Sequence, residues 1–129
     1  KLCLVQLGIG DNQYCIDVLA IEDLSLLAAL LAEESVTKLL HAARQDMEVL
    51  WQTFSLLPKP VFDTQLAAAF CGMDLQIGHT ALVQEKLGVE LSKSQARTDW
   101  TKRPLSSAHV TAPGLLCHRC ACKTGEVLT

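Results

Sequence analysis

The run Lys1-Leu2-Cys3-Leu4-Val5-Gln6-Leu7-Gly8-Ile9 is apolar at consecutive positions rather than at alternate ones. A strand written this way has no face to give to water, so it belongs in a sheet covered on both sides. Covering both faces takes helices, and the rest of the chain carries their spacing. Gly10-Asp11-Asn12 is turn chemistry and residues 14–18 read as a second strand, which predicts a hairpin. From Leu24 the pattern changes: Leu24, Leu27, Ala28 and Leu31 recur at helical spacing. Residues 36–41 read as a short strand, and Met47, Leu50, Trp51 and Phe54 then mark the buried face of a second helix. Pro58 and Pro60 end that helix. Asp63 stands where an N-cap belongs before a helix over 64–70, and Gly88 closes a further helix over 79–87. Strand, strand, helix, strand and then three helices predict an α/β domain.

Composition narrows the classes. At 129 residues, half of them apolar and 19% charged, the chain suits one modest globular domain. No uncharged apolar run approaches the roughly 20 residues of a membrane span, and no secretory signal is readable. A soluble, cytoplasmic protein without membrane contact is expected. The net charge of −3 argues against a large basic surface for nucleic acid; an enzyme that grips a strand end in a narrow groove stays open. Cys3, Cys15 and Cys71 lie in apolar segments and are expected to be small buried side chains. After about Ser107 the character shifts, which divides the chain into a domain over 1–107 and a divergent, irregular tail over 108–129. The tail holds Cys117-His118-Arg119-Cys120-Ala121-Cys122, with His109 nearby. Zinc accepts such ligands, but the spacing lacks a second pair. An unstructured tail is the simpler reading, and a small zinc module is the alternative.

The segment richest in chemistry is Lys38-Leu39-Leu40-His41-Ala42-Ala43-Arg44-Gln45-Asp46-Met47-Glu48-Val49-Leu50. A strand runs into a helix and puts Asp46 in the first turn, where a carboxylate is favoured by the helix dipole. Open α/β sheets bind ligands at that edge. An Asp at a helix start often has no further duty, and a single histidine such as His41 is more often packed than ligating. By helix phase, Asp46 is expected to border the apolar stripe and face an open groove.

The stretch His41–Leu50 resembles the second exonuclease motif of ribonuclease D, in the DEDD superfamily. Phe62-Asp63-Thr64-Gln65-Leu66-Ala67-Ala68 follows at the separation seen in that family. Lys93-Ser94-Gln95-Ala96-Arg97-Thr98-Asp99-Trp100 and Arg103-Pro104-Leu105 resemble the approach to its third motif. Val5-Gln6-Leu7 and Ile16-Asp17 resemble its second and third strands. The resemblance runs from about Lys1 to Leu105. It implies a ribonuclease H-like mixed sheet with flanking helices, and two-metal hydrolysis at a nucleic acid 3′ end. In the complete domain, four acids hold two Mg²⁺ or Mn²⁺ ions, and a tyrosine in the third motif orients the attacking water.

By position Asp46 matches the second-motif acid, which implies catalytic and metal-binding roles. His41 and Asp63 are expected as structural neighbours of the site, Asp63 as an N-cap. The first motif has no counterpart, so the domain is expected to lack its first, central strand and to have a marginal fold. The third is also missing: residues 106–129 contain no Asp, and Tyr14 is the only tyrosine. The chain by itself is expected to be inactive, as a fragment of an exoribonuclease domain acting on RNA 3′ ends such as tRNA precursors. The alternatives are a DNA-proofreading exonuclease domain of the same superfamily and a noncatalytic nucleic-acid-binding remnant.

Overall fold

The computed structural model describes residues 1–10, 12–91, 101 and 103. Strand β1 (Val5–Ile9) pairs antiparallel with β2 (Asn12–Ile16), in a register that sets Val5 against Ile16 and Ile9 against Asn12. Gly10 makes the reversal with φ +58°, a left-handed conformation that glycine adopts without steric penalty. The expected strand over 1–9 is shorter, because no ladder forms on residues 1–4. Its burial is as the sequence implies only in its first part: Leu2, Cys3, Leu4 and Val5 are all at most 3% exposed, covered on both faces, whereas Leu7 is half-buried and Ile9 is exposed.

Helix α1 (Ser25–Ala32) follows, with Leu27 and Leu31 buried one turn apart. The Asp23 carboxylate accepts from the Ser25 N–H at 2.8 Å and starts it. Strand β3 (Lys38–Leu40) leads into α2 (Arg44–Phe54), and the chain returns through β4 (Val61–Asp63), which lies parallel to β3. Helix α2 stops at Phe54, where Ser55 turns left-handed (φ 54°) and donates its N–H to the Trp51 carbonyl. The stop thus precedes Pro58. Helices α3 (Thr64–Phe70) and α4 (His79–Leu87) complete the described chain, α4 closing on Gly88 (φ +69°).

Both strand senses of a mixed sheet are present, but among the described residues they form two separate pairs, β1–β2 and β3–β4. What joins the halves is apolar packing. Leu2, Val5 and Val18 from the hairpin side meet Leu27 and Leu31 of α1, Leu40 of β3, and Val49 and Leu50 of α2 in one core. Fully burying side chains of this size contributes about 1.5–3 kcal/mol each.

Three expectations need correcting. Strand β4 is absent from the sequence reading, because three residues after two prolines are too short to show a period. Of the expected stripe of α2, Leu50 is fully buried and Met47 and Phe54 pack half-buried against the core, but Trp51 does not belong to it. The buried residues of the helix are Asp46, Val49 and Leu50, while Trp51 is 55% exposed. Cys71 is exposed where α3 ends, although Cys3 is buried and Cys15 half-buried; none of these three is in a disulfide.

Candidate functional site

The candidate site is built where β3 ends and α2 begins. Leaving Leu40, the chain passes His41 and takes a left-handed turn at Ala42 (φ 56°). A side chain at such a φ costs on the order of 1 kcal/mol, so the surroundings must hold it. Ala43, the N-cap residue of α2, has no side chain with which to cap the helix. The missing acceptor comes from β4: the Asp63 carboxylate receives the Ala42 N–H on Oδ1 at 3.1 Å and the Ala43 N–H on Oδ2 at 2.9 Å. Asp63 is also the N-cap of α3, where its Oδ1 accepts from the Gln65 N–H at 2.8 Å and the Leu66 N–H at 3.5 Å. One carboxylate therefore ties the starts of two helices together. Charge-assisted bonds of this kind are roughly twice as strong as neutral ones.

His41 adds a second brace. Its Nε2 lies 3.0 Å from the Ile77 carbonyl, which can only accept, so that nitrogen carries a proton. Its Nδ1 lies 2.8 Å from Thr64 Oγ1, and that hydroxyl donates to the Leu40 carbonyl at 3.1 Å. Gln65 Nε2 donates to the same Ile77 carbonyl at 3.0 Å. The His79 ring meets His41 edge to face, with centroids 5.4 Å apart. The end of β3 and the starts of α3 and α4 are thereby locked around one imidazole.

Asp46 stands on the third residue of α2 and its side chain is completely buried. The expected groove-facing orientation at the border of the stripe is therefore wrong. Ala43, Val49 and Leu50, three before and three and four after it, are buried too, so Asp46 sits within the stripe. A cavity of about 750 Å³ does open beside this helix start, lined by Arg44, Gln45, Asp63, Gln65 and Gln76 among others, but Asp46 is not part of its wall. Among the described residues no three His, Cys, Asp or Glu side chains gather to hold a metal ion. The Asp46 carboxylate is a suitable hard oxygen ligand for Mg²⁺ or Mn²⁺. By itself it does not make an ion site, so a complete one needs acids besides those described. The candidate zinc ligands His109, Cys117, His118, Cys120 and Cys122, the whole 108–129 tail, and the stretch over 93–105 apart from 101 and 103 lie outside the described residues.

On the far side of the core, Arg103 Nε and an Nη donate to the two oxygens of Asp17 at 2.6 and 2.5 Å, and that Nη also reaches the Cys3 carbonyl at 3.2 Å. The guanidinium holds the Asp17 carboxyl below the usual carboxylate range. Burial pushes the Cys15 thiol up, against a hydrogen bond from Gln6. Sequence reasoning missed the reach of Asp63 back to Ala42 and Ala43, and the hydrogen bond that Thr64 makes to the end of β3. A three-residue return strand gives no signal from which either could be read.

The fold is an α/β domain with an acid in the first turn of the helix that leaves a parallel strand. The pattern of the 3′–5′ exonuclease family matches residues 1–111, and the chain belongs to that family. Within it, the chain is similar to the ribonucleases D. It is 47% identical to the ribonuclease D of Escherichia coli K12 over 106 residues, 82% of this chain and 28% of that protein. The crystal structure of E. coli RNase D, an exoribonuclease involved in structured RNA processing, superposes with a TM-score of 0.80 at 45% identity, covering 84% of this chain and 29% of that one. Brucella melitensis NrnC with bound Mg²⁺ superposes with a TM-score of 0.71 at 32% identity, covering 82% of this chain and 52% of that one. NrnC is also known bound to pGG. These likenesses identify the fold as the ribonuclease H-like α/β architecture of exonuclease domains. The chain spans less than a third of the length of the ribonucleases D that it matches.

Proposed function

We propose that this chain contributes part of a 3′→5′ exoribonuclease site of ribonuclease D type, with Asp46 as one of its metal-binding, catalytic acids. The observation that carries the reading is the position of Asp46: first turn of α2, just after the end of β3, within a stretch that matches ribonuclease D. The substrate is an RNA 3′ end, single-stranded at the point of cleavage, with tRNA precursors as the expected class and the cytoplasm as the place of action. Support for RNA comes from the structured-RNA relative, and support for Mg²⁺ from the ion bound to NrnC. In the complete site, Mg²⁺ or Mn²⁺ would activate water and stabilise the leaving oxygen.

The chain's own residues act by placement. Asp46 supplies a carboxyl group at the start of α2, while Asp63 and His41 brace the segment that leads into that helix. The two strand pairs are read as the flanks of a sheet whose central strand, carrying the first-motif acids, is not among β1–β4. Residues 1–107 are the exonuclease portion, and residues 108–129 are a separate tail. The DNA-proofreading reading shares the fold and differs in substrate.

The test is a graft. The matching 106-residue stretch of E. coli ribonuclease D is replaced by that of this chain, and 3′-labelled RNA and DNA strands are offered with Mg²⁺. Shortening of RNA from the 3′ end in preference to DNA is the expected result. A folded graft without nuclease activity contradicts the exonuclease reading, and one that prefers DNA contradicts the substrate.

A further inference from the structure

We propose that Asp63 is a positioning residue for Asp46: it holds the strained turn at Ala42 and so sets the phase in which α2 begins. The proposal rests on the reading of Asp46 as a functional acid and goes beyond the capping of α3. Three observations combine. Ala42 sits at φ 56°, where a side chain is disfavoured and an external hold is required. The two amides of the turn, Ala42 N–H and Ala43 N–H, both end on Asp63, which lies twenty residues or more along the chain. Asp46 is three residues beyond Ala43 and has no space to adjust, being completely buried. A change at Ala42 and Ala43 therefore rotates the first turn of α2 and with it the Asp46 carboxylate, although Asp63 is not itself part of the chemistry.

The division of labour between the two oxygens makes the idea testable. Oδ1 serves Gln65, Leu66 and Ala42, whereas Oδ2 is the acceptor for Ala43. Asp63→Asn keeps one acceptor oxygen, enough to cap α3, for which Asn is as good as Asp. Its amide nitrogen can only donate, so the Ala43 N–H loses its partner. Asp63→Ser keeps a capping oxygen for α3 on a shorter side chain that does not reach the turn.

The experiment is residue-resolved hydrogen exchange on the full chain, together with the side-chain carboxyl ¹³C signal of Asp46. In both variants, exchange at Ala43 and Met47 should rise about tenfold or more relative to Gln65 and Leu66, and the Asp46 carboxyl signal should move. Adding Ala42→Gly, which removes the strain of the turn, should restore protection at Met47 and return the Asp46 signal, but not protect Ala43, whose acceptor is gone. Unchanged Ala43 exchange, an unmoved Asp46 signal, or equal loosening of α2 and α3 would overturn the proposal. So would unfolding of both variants that Ala42→Gly does not reverse, since the role would then be global rather than positional. None of these readouts uses metal or nuclease activity. Failure of the exonuclease reading would leave them intact, and failure here would leave the graft result standing.

Discussion

The β1–β2 hairpin and the β3–α2–β4 unit are built by different means. In the hairpin, paired residues are close in sequence, a glycine turn joins the strands, and one apolar run buries consecutive side chains as it enters the ladder. In the β3–α2–β4 unit, Lys38 pairs with Val61 and Leu40 with Asp63 across a whole helix. The turn that launches that helix is held by a carboxylate from the returning strand. The hairpin is therefore specified locally and the site-bearing unit at long range. The unit's geometry has several remote supports, each of which can be removed singly.

The largest effect should come from the anchor of α2. Leu50 is fully buried in the core shared by the two halves. Leu50→Ala should destabilise the chain by about 3 kcal/mol, read as a lowered urea midpoint. A loss under about 1 kcal/mol would mean that the halves are not joined through this core.

Next is Asp63→Ala, which strips acceptors from two helix starts and should cost about 2 kcal/mol. The loss should be uneven, with amide protection falling at Ala43 and Gln65 and staying at Leu7 and Tyr14. Equal loosening of the hairpin would break the distinction between local and remote specification.

Gly10→Ala is the reciprocal test. Nothing lies within 4 Å of a Cβ built there, so the cost is the left-handed backbone alone, about 1 kcal/mol. It should loosen the ladder between β1 and β2 and leave Ala43 protected.

The smallest effect concerns acid. The pair with Arg103 lowers the Asp17 pKa in the folded chain. Its stabilisation is present above the unfolded aspartate pKa of about 4 and is lost as pH falls through the lower folded value. Arg103→Gln should flatten the decline in stability below about pH 4, by no more than about 1 kcal/mol. An unchanged acid profile would remove the pair from the account.

The same contrast explains what could be read from the sequence. The hairpin, α1, the existence of α2 and the glycine stop of α4 each leave a local mark: turn residues, a period, a cap. The phase of α2 is only partly legible, because Trp51 is apolar and Asp46 is charged, yet the core takes Asp46 and leaves Trp51 half in water. Hydropathy ranks side chains one at a time, whereas burial here follows the angle at which α2 leaves the Ala42 turn. The two amides of that turn end on Asp63, a residue whose local context announces an N-cap and nothing more. Family motifs identified Asp46 and Asp63 as notable, but not the hydrogen bonds that connect the segments bearing them.

We propose that the start of α2, held by Asp63, carries a carboxylate used in metal-dependent cleavage. The most direct measurement is the rate at which the grafted exonuclease shortens a 3′-labelled RNA in Mg²⁺, with Asp46 intact and with Asp46→Asn, in preparations shown by hydrogen exchange to fold alike. Loss of the rate by about a hundredfold or more, the order seen when a group stabilising transition-state charge is removed, is the predicted result. A folded Asp46→Asn graft that keeps its full rate would contradict the account.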